Sequence, residues 1–312
     1  VQFVLLFLYY TSTGSAVMLG VAWAGLVAAA VVSTLTLPAS LRTQPIRLRP
    51  AALPALAILA LLIAAPLGRS LADSDPQGER VLGDRLRVMT YNIQSGFSKD
   101  NVWDLEATAR VIEAADPDVV FLQEVSRGWL VTTGNDQLRW LSQRLDMPYA
   151  WGPASTDDLW GNAILSHYPI ASEQVVKYDS SDNLRRSALA VGIEVGDGRI
   201  LNLIGTHLDN PGEAGLARAG QVAQLVELLE PGQPAIVAGD FNATPDDVLI
   251  VDMASVGLID SAPQAGADET TSEDGRRIDY IFVTSEFDVL DGQVIPTDAS
   301  DHRPLVVTLA LP

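Results

Sequence analysis

Asp240 and Asn242 stand two residues apart at the end of the apolar run Ile236-Val237-Ala238. In a strand, positions i and i+2 face the same way, so both side chains would present to one side. A proton-accepting carboxylate beside an uncharged amide suits the attack of water on an anionic ester. Gly239, just ahead of them, leaves out a side chain where an approaching ligand would need room. The same stretch also fits an ordinary strand exit with Asp and Asn as turn formers. Other polar tips of the same kind lift it above that reading: Asn92, Gln123-Glu124, His207 and Asp301-His302.

Each tip needs an element to hold it. Residues 86–91 read as a buried strand leading to Asn92, 119–122 as one leading to Glu124, and 200–204 as one leading through Gly205-Thr206 to His207. Asp301-His302 is likewise read as a strand end. Asp279 sits in the otherwise apolar strand 277–282, and a lone buried carboxylate is costly enough to require a partner. Titratable groups gathered at strand ends are how an α/β scaffold builds a site. Leu138, Leu141 and Leu145 repeat at helical spacing after Asn135-Asp136, and Leu216, Val222, Leu225, Val226 and Leu229 do so after Pro211-Gly212. Apolar runs 191–195 and 200–204 flank Gly196-Asp197-Gly198, a hairpin signal. Periodicity alone supports an α/β or α+β domain with one large core.

With these residues in place, the chain resembles the endonuclease/exonuclease/phosphatase superfamily. The motifs, in the family's order, are TYNIQSG (90–96), LQEV (122–125), GNAILS (161–166), THL (206–208), GDFN (239–242), RIDYIF (277–282) and SDHRP (300–304), within residues 84–312. The resemblance implies a DNase I-like fold, α/β (α+β), in which two mixed sheets form a sandwich flanked by helices with the site at one end. It implies hydrolysis of phosphoesters with a divalent metal, Mg²⁺ or Mn²⁺, on DNA, RNA, inositol phosphates or sphingolipids. Glu124 would be the principal metal ligand, helped by Asn92 and Asp301; all offer the hard oxygen atoms Mg²⁺ prefers. Asp240 would orient or deprotonate the attacking water, and Asn242 would donate to a phosphate oxygen. His302 would contact the scissile phosphate, held in one tautomer by Asp279. His207 would hydrogen-bond the phosphate or protonate the leaving oxygen. The reaction would be in-line displacement by water without a covalent enzyme intermediate. Asn162, in GNAILS, would line the site or cap a turn. Arg186 fits a contact to substrate phosphate or a solvated strand edge.

Gln94 departs from the pattern, since the abasic-site endonucleases of the superfamily carry an aspartate there; this weakens an abasic-nuclease assignment and leaves Glu124 as the main metal carboxylate. The absence of cysteine excludes a thiolate zinc site, and the three histidines, His167, His207 and His302, argue against a histidine cluster. His167, in Ser-His-Tyr-Pro, reads as a turn residue. Trp129, Trp151 and Trp160 read as core packing.

The amino-terminal quarter has a different character. No charged residue precedes Arg42, and residues 16–37 form a 22-residue apolar stretch, as a helix about 33 Å long and enough to cross a bilayer. Residues 51–68 form a second span with prolines near its ends, and residues 1–10 read as the tail of another span cut short. The basic start of a cleaved signal peptide is missing. The loop 38–50 carries Arg42, Arg47 and Arg49 and no acidic residue, so the positive-inside rule keeps it cytoplasmic. The chain then crosses outward, residues 69–83 read as a tether, and the catalytic domain 84–312 is expected outside the cytoplasm. Zero cysteine is compatible with that side.

Residues 81–312 hold 15 basic and 36 acidic residues. Such a body repels a polyanionic duplex unless metal ions and a local basic patch offset it, and no lysine-arginine run interleaved with aromatics is present. The expected function is therefore a membrane-anchored phosphoester hydrolase acting on a lipid headgroup or small phosphoester, ahead of an extracytoplasmic DNase-type nuclease. A non-catalytic binding module ranks last, because a binder has no need of the complete set of acid, base and metal residues. The expected partners are the phosphoester substrate and the membrane.

Overall fold

The computed structural model describes residues 83–179, 185–196, 198–210 and 215–311, with Pro76, Gly78 and Arg80. The apolar spans expected at 1–10, 16–37 and 51–68 lie outside the described residues, as does most of the expected tether. Among the described residues no helix is long and apolar enough to cross a membrane. Arg80 is docked on the domain, ion-paired to Asp116 at 2.9 Å and Asp118 at 2.6 Å, with its backbone N–H donating to the His167 carbonyl at 3.2 Å.

Twelve described strands form two six-stranded sheets. The first holds β1 (Arg85–Asn92), β2 (Val119–Ser126), β3 (Tyr149–Pro153), β4 (Trp160–Ser166), β11 (Asp288–Val294) and β12 (Leu305–Ala310), in the order β11-β12-β1-β2-β4-β3. The second holds β5 (Ile170–Lys177), β6 (Ser187–Glu194), β7 (Ile200–His207), β8 (Ala235–Asp240), β9 (Ile259–Asp260) and β10 (Asp279–Val283), in the order β5-β6-β7-β8-β10-β9. Both are mixed: β1–β2 and β7–β8 pair in parallel and the remaining pairs run antiparallel.

Alternation along the strands builds the layers. Val88, Phe121, Ile236 and Ile281 join one central core fed by both sheets, with Ile164, Leu203 and Val307. Their immediate neighbours Met89, Val120 and Leu122 point to the other face, under α1 (Leu105–Ala115) and α2 (Gln137–Leu145), where Ile112, Leu138 and Leu141 cover them. Val237 and Phe282 do the same in the second sheet, beneath Val222 and Leu225 of α3 (Gly215–Val226) and Leu249 and Met253 of α4 (Val248–Ser255). A short α5 (Ser261–Ala265) follows β9. The helix expected after Asn135-Asp136 starts on the Asp136 cap, whose carboxylate accepts the Arg139 N–H at 3.0 Å. The helix expected up to Leu229 stops at Val226.

Gly239 serves a different purpose from the one the sequence suggested. Its φ is +151°, and a Cβ there would fall 1.9 Å from the Thr206 carbonyl oxygen. The side chain is missing so that β7 and β8 can lie together, not to admit a ligand. Gly239→Ala should therefore cost about 3 kcal/mol or more through strain and overpacking; an unchanged melting temperature of the full chain would contradict this.

Candidate active site

Strand register assembles one row of polar side chains. Parallel pairing sets His207 of β7 opposite Asp240 of β8, and antiparallel pairing sets Asp279 of β10 on the other flank of Asp240. Asn92, at the end of β1 in the first sheet, reaches across to donate from Nδ2 to Asp240 Oδ2 at 3.0 Å and to Glu124 Oε1 at 3.3 Å. Its own Oδ1 accepts the Gln94 N–H at 3.1 Å, which fixes the amide nitrogen toward the carboxylates. Asn92 thus steers Asp240 and Glu124 in this arrangement.

Glu124 is not at a strand end. β2 continues to Ser126, and its register against β4 shifts between Leu122 and Val125. Glu124 occupies that bulge with φ +59°, which turns the carboxylate out of the ladder. Asp301 and His302 likewise precede β12 instead of closing a strand. Because β12 runs antiparallel to β1, the start of one lies beside the end of the other, so the pair still reaches the site. Ser300 Oγ ties that turn down, donating to the Asn92 carbonyl at 2.8 Å and accepting the His302 N–H at 3.1 Å.

The residues meet in a cleft of about 380 Å³ lined by Glu124, His207, Asp240, Asn242, Asp301 and His302. Asp240 accepts the Asn242 N–H at Oδ1, 2.9 Å away; its Oδ2 lies 3.4 Å from His207 Nε2 and 3.7 Å from His302 Nε2. Burial, then the neighbouring Asp279 charge, pushes Asp240 up to about 7. His302 Nδ1 lies 2.8 Å from Asp279 Oδ2. Burial would lower that imidazole, but Asp279 and Asp240 outweigh it and push it up to about 10. His207 moves the opposite way, lowered well below the ordinary imidazole value by burial, then by Arg186 and His302. Asp279 has found the partner its burial demanded.

Asn242 has its amide turned inward, donating to the Leu208 carbonyl at 3.0 Å, with only part of the residue open to the cleft. Asn162 and Arg186 are buried and do not line this cleft. Asn162 is buried with Nδ2 donating to the Ser187 carbonyl at 2.9 Å. Arg186 is buried against Asp209 at 3.3 Å and His207 at 3.0 Å, under the Trp160 ring, and so is not a solvated edge. Trp129 and Trp160 stack at 5.8 Å as part of the core. Lys99, Asn101, Ser272, Glu273, Asp274 and Arg276 also line the cleft. They were not singled out in the sequence, because they sit on loops with no apolar pattern to mark them.

The donor set fits a hard divalent cation. Glu124, Asp240, Asp279 and Asp301 bring four carboxylates to one end of the molecule, and burial raises Glu124, a cost that bound positive charge would remove. Oδ1 of Asp279 is buried without a hydrogen-bond partner. Ligand atoms of Asp240, Asp279 and His302 lie within 4.8 Å of one another. However, the Asp279–His302 hydrogen bond already engages two of them, which makes that trio an acid–base cluster. Glu124 and Asp301 remain the carboxylates open to a cation.

A profile of the Endonuclease/Exonuclease/phosphatase family matches residues 89–302. The crystal structure of an endonuclease/exonuclease/phosphatase from Beutenbergia cavernae DSM 12333 superimposes with a TM-score of 0.64 at 27% identity, covering 73% of this chain and 72% of that one. UPF0294 protein plu0699 of Photorhabdus laumondii is 33% identical over 133 residues, 40% of this chain and 48% of that protein. Inositol phosphosphingolipids phospholipase C of Schizosaccharomyces pombe is 26% identical over 198 residues, 57% of this chain and 46% of that protein. The matched stretch thus spans about half the length of these two curated relatives.

Cation binding is measurable without any substrate. Mg²⁺ or Mn²⁺ at a hundred times its dissociation constant should stabilise the full chain by about 2.7 kcal/mol in a thermal melt, and Glu124→Gln should abolish that gain. A wild-type melt indifferent to both ions at millimolar concentration would remove the cation from the site.

Proposed function

The chain belongs to the endonuclease/exonuclease/phosphatase family, and from that premise we propose that it is a divalent-metal-dependent phosphoester hydrolase, anchored in the cell membrane by its amino-terminal spans, acting outside the cytoplasm on a lipid headgroup or small phosphoester. The observation that carries the hydrolase reading is the convergence of Asp240, His302 and Glu124 in one cleft, with Asp279 bonded to His302. Asp240, with both oxygens held by Asn92 and Asn242 and its pKa up to about 7, is matched to take a proton from water near neutral pH. His302, kept cationic by Asp279, presents a charged donor to a phosphate oxygen. Glu124 and Asp301 would hold the cation, Mg²⁺ or Mn²⁺, which supplies Lewis-acid stabilisation of the phosphoryl oxygens when bound.

The substrate class draws on three observations. The fission-yeast relative is named as a phospholipase acting on inositol phosphosphingolipids. Lys99 and Asn101 line the cleft, while Val102 and Trp103 beside them are 62% and 37% exposed. Trp103 also shares a groove with Trp140, itself 38% exposed. Apolar surface next to a polar cleft suits a headgroup presented from a bilayer. Among the described residues, the Lys and Arg side chains lining the cleft are Lys99 and Arg276, and each is paired, with Asp298 at 2.8 Å and Asp274 at 2.6 Å. Little unpaired positive charge is left to hold a nucleic-acid duplex.

The full chain, reconstituted in vesicles with Mg²⁺, should release phosphorylated headgroups from inositol phospholipids or sphingolipids faster than it cleaves DNA, RNA or nucleotides. Dominant nicking of plasmid DNA would promote the nuclease reading instead. Asp240→Asn and His302→Ala should each lower the rate about 10²–10⁴-fold with the melting temperature retained, and a loss of only a few-fold would discredit the assigned roles. EDTA should silence the activity. In intact cells, added protease should digest residues 84–312; protection of that segment would overturn the sidedness.

A further inference from the structure

Behind the cleft wall a buried chain of polar contacts ends on His207. Gln221 of α3 donates from Nε2 to Asp209 Oδ2 at 2.7 Å and accepts the Asp209 N–H at Oε1, 3.0 Å away. Asp209 Oδ1 accepts from Arg186 Nε at 3.3 Å, and Arg186 Nη1 lies 3.0 Å from His207 Nδ1. The guanidinium carbon sits 5.2 Å from the centre of the Trp160 ring, which also packs against the His207 ring at 5.9 Å. All five side chains are buried.

Donor counting fixes the proton. A guanidinium has only donors and does not lose its charge in proteins, so the Arg186 contact requires Nδ1 of His207 to be bare. A neutral imidazole then carries its single proton on Nε2. Two groups face that nitrogen: Asp240 Oδ2 at 3.4 Å, an acceptor, and Asn242 Nδ2 at 3.2 Å, a donor already engaged with the Leu208 carbonyl. Arg186 and Asn242 cannot both donate to one neutral ring, and the charge-assisted contact is the stronger. A doubly protonated ring would set two cations against each other away from water. The proton therefore sits on Nε2, the ring nitrogen that Asp240 Oδ2 faces at 3.4 Å.

We propose that Arg186 is a positioning residue that locks His207 in the neutral Nε2–H tautomer, making it a fixed donor to the Asp240 end of the site and not the acid that protonates the leaving oxygen. This rests on the hydrolase reading only for its catalytic meaning; the tautomer is a property of the folded chain. It divides the labour of the two site histidines. The one held by a carboxylate carries the charge, and the one held by an arginine stays neutral.

The test is ¹⁵N-histidine NMR of the full chain at pH 7, with the three imidazoles assigned by His167→Gln and His302→Gln. His207 should show a protonated Nε2 and an unprotonated Nδ1. Arg186→Met should release the ring to a tautomer mixture or a doubly protonated state, and Arg186→Lys, which keeps a cationic donor, should restore the wild-type signature. A protonated Nδ1 in the wild type, or an Arg186→Met spectrum identical to it, would overturn the inference. If Arg186→Met does not fold, the wild-type spectrum decides alone. The expected tautomer in a chain that hydrolyses no phosphoester would support this inference while sinking the hydrolase reading.

Discussion

Asp240 is taken out of water at the end of β8, and a carboxylate so placed must be met by donors, paired with positive charge, or neutralised. The surrounding structure supplies the first two. β7 brings His207 and the turn after β8 brings the Asn242 N–H. Asn92 crosses from the opposite sheet to the same carboxylate. The two sheets are therefore joined at this end by a polar contact, while the apolar core fills the space between them. Asp279 works against that stabilisation, because it lies directly opposite Asp240 across the ladder. The excess negative charge that results is a cost that a bound cation would offset.

The two histidines show how environment decides chemistry. His302 meets a carboxylate at Nδ1 and is pushed up to about 10; His207 meets a guanidinium at the same ring position and is lowered. Both flank Asp240 through Nε2. One side of the base is thus cationic and the other neutral, a polarity set by second partners that never reach the cleft. Such asymmetry around a central carboxylate suits binding an anionic ester on the charged flank while the carboxylate itself takes a proton from water.

Much of this was legible in the sequence because strand alternation and the family motifs are local signals. The runs ending at Asn92, His207 and Asp240 became strands with those residues at their tips, and the 191–195/200–204 hairpin formed through antiparallel β6 and β7. What escaped depends on geometry between distant segments. The bulge that turns Glu124 outward is a mismatch of register between β2 and β4, visible only once the strands are paired. Arg186 reads in sequence as a phosphate contact or a solvated edge because its partners, His207 and Asp209, lie 21 and 23 positions along the chain. Gly239 reads in sequence as room for a ligand, whereas its crowding neighbour is the backbone of β7. The signal for α1 is local as well, with Asp104 as the cap and Leu105, Ala109 and Ile112 at helical spacing.

Water attack at phosphorus, directed by Asp240 without a covalent intermediate, is the central claim, and the origin of the transferred oxygen tests it most directly. The full chain would be mixed in excess over a chromogenic aryl phosphodiester in ¹⁸O-labelled water, and the phosphate product of a single turnover weighed by mass spectrometry. One solvent-derived oxygen in that product is the expected result. Unlabelled phosphate product with the label in the released alcohol, or a first-turnover oxygen drawn from the protein, would contradict the account.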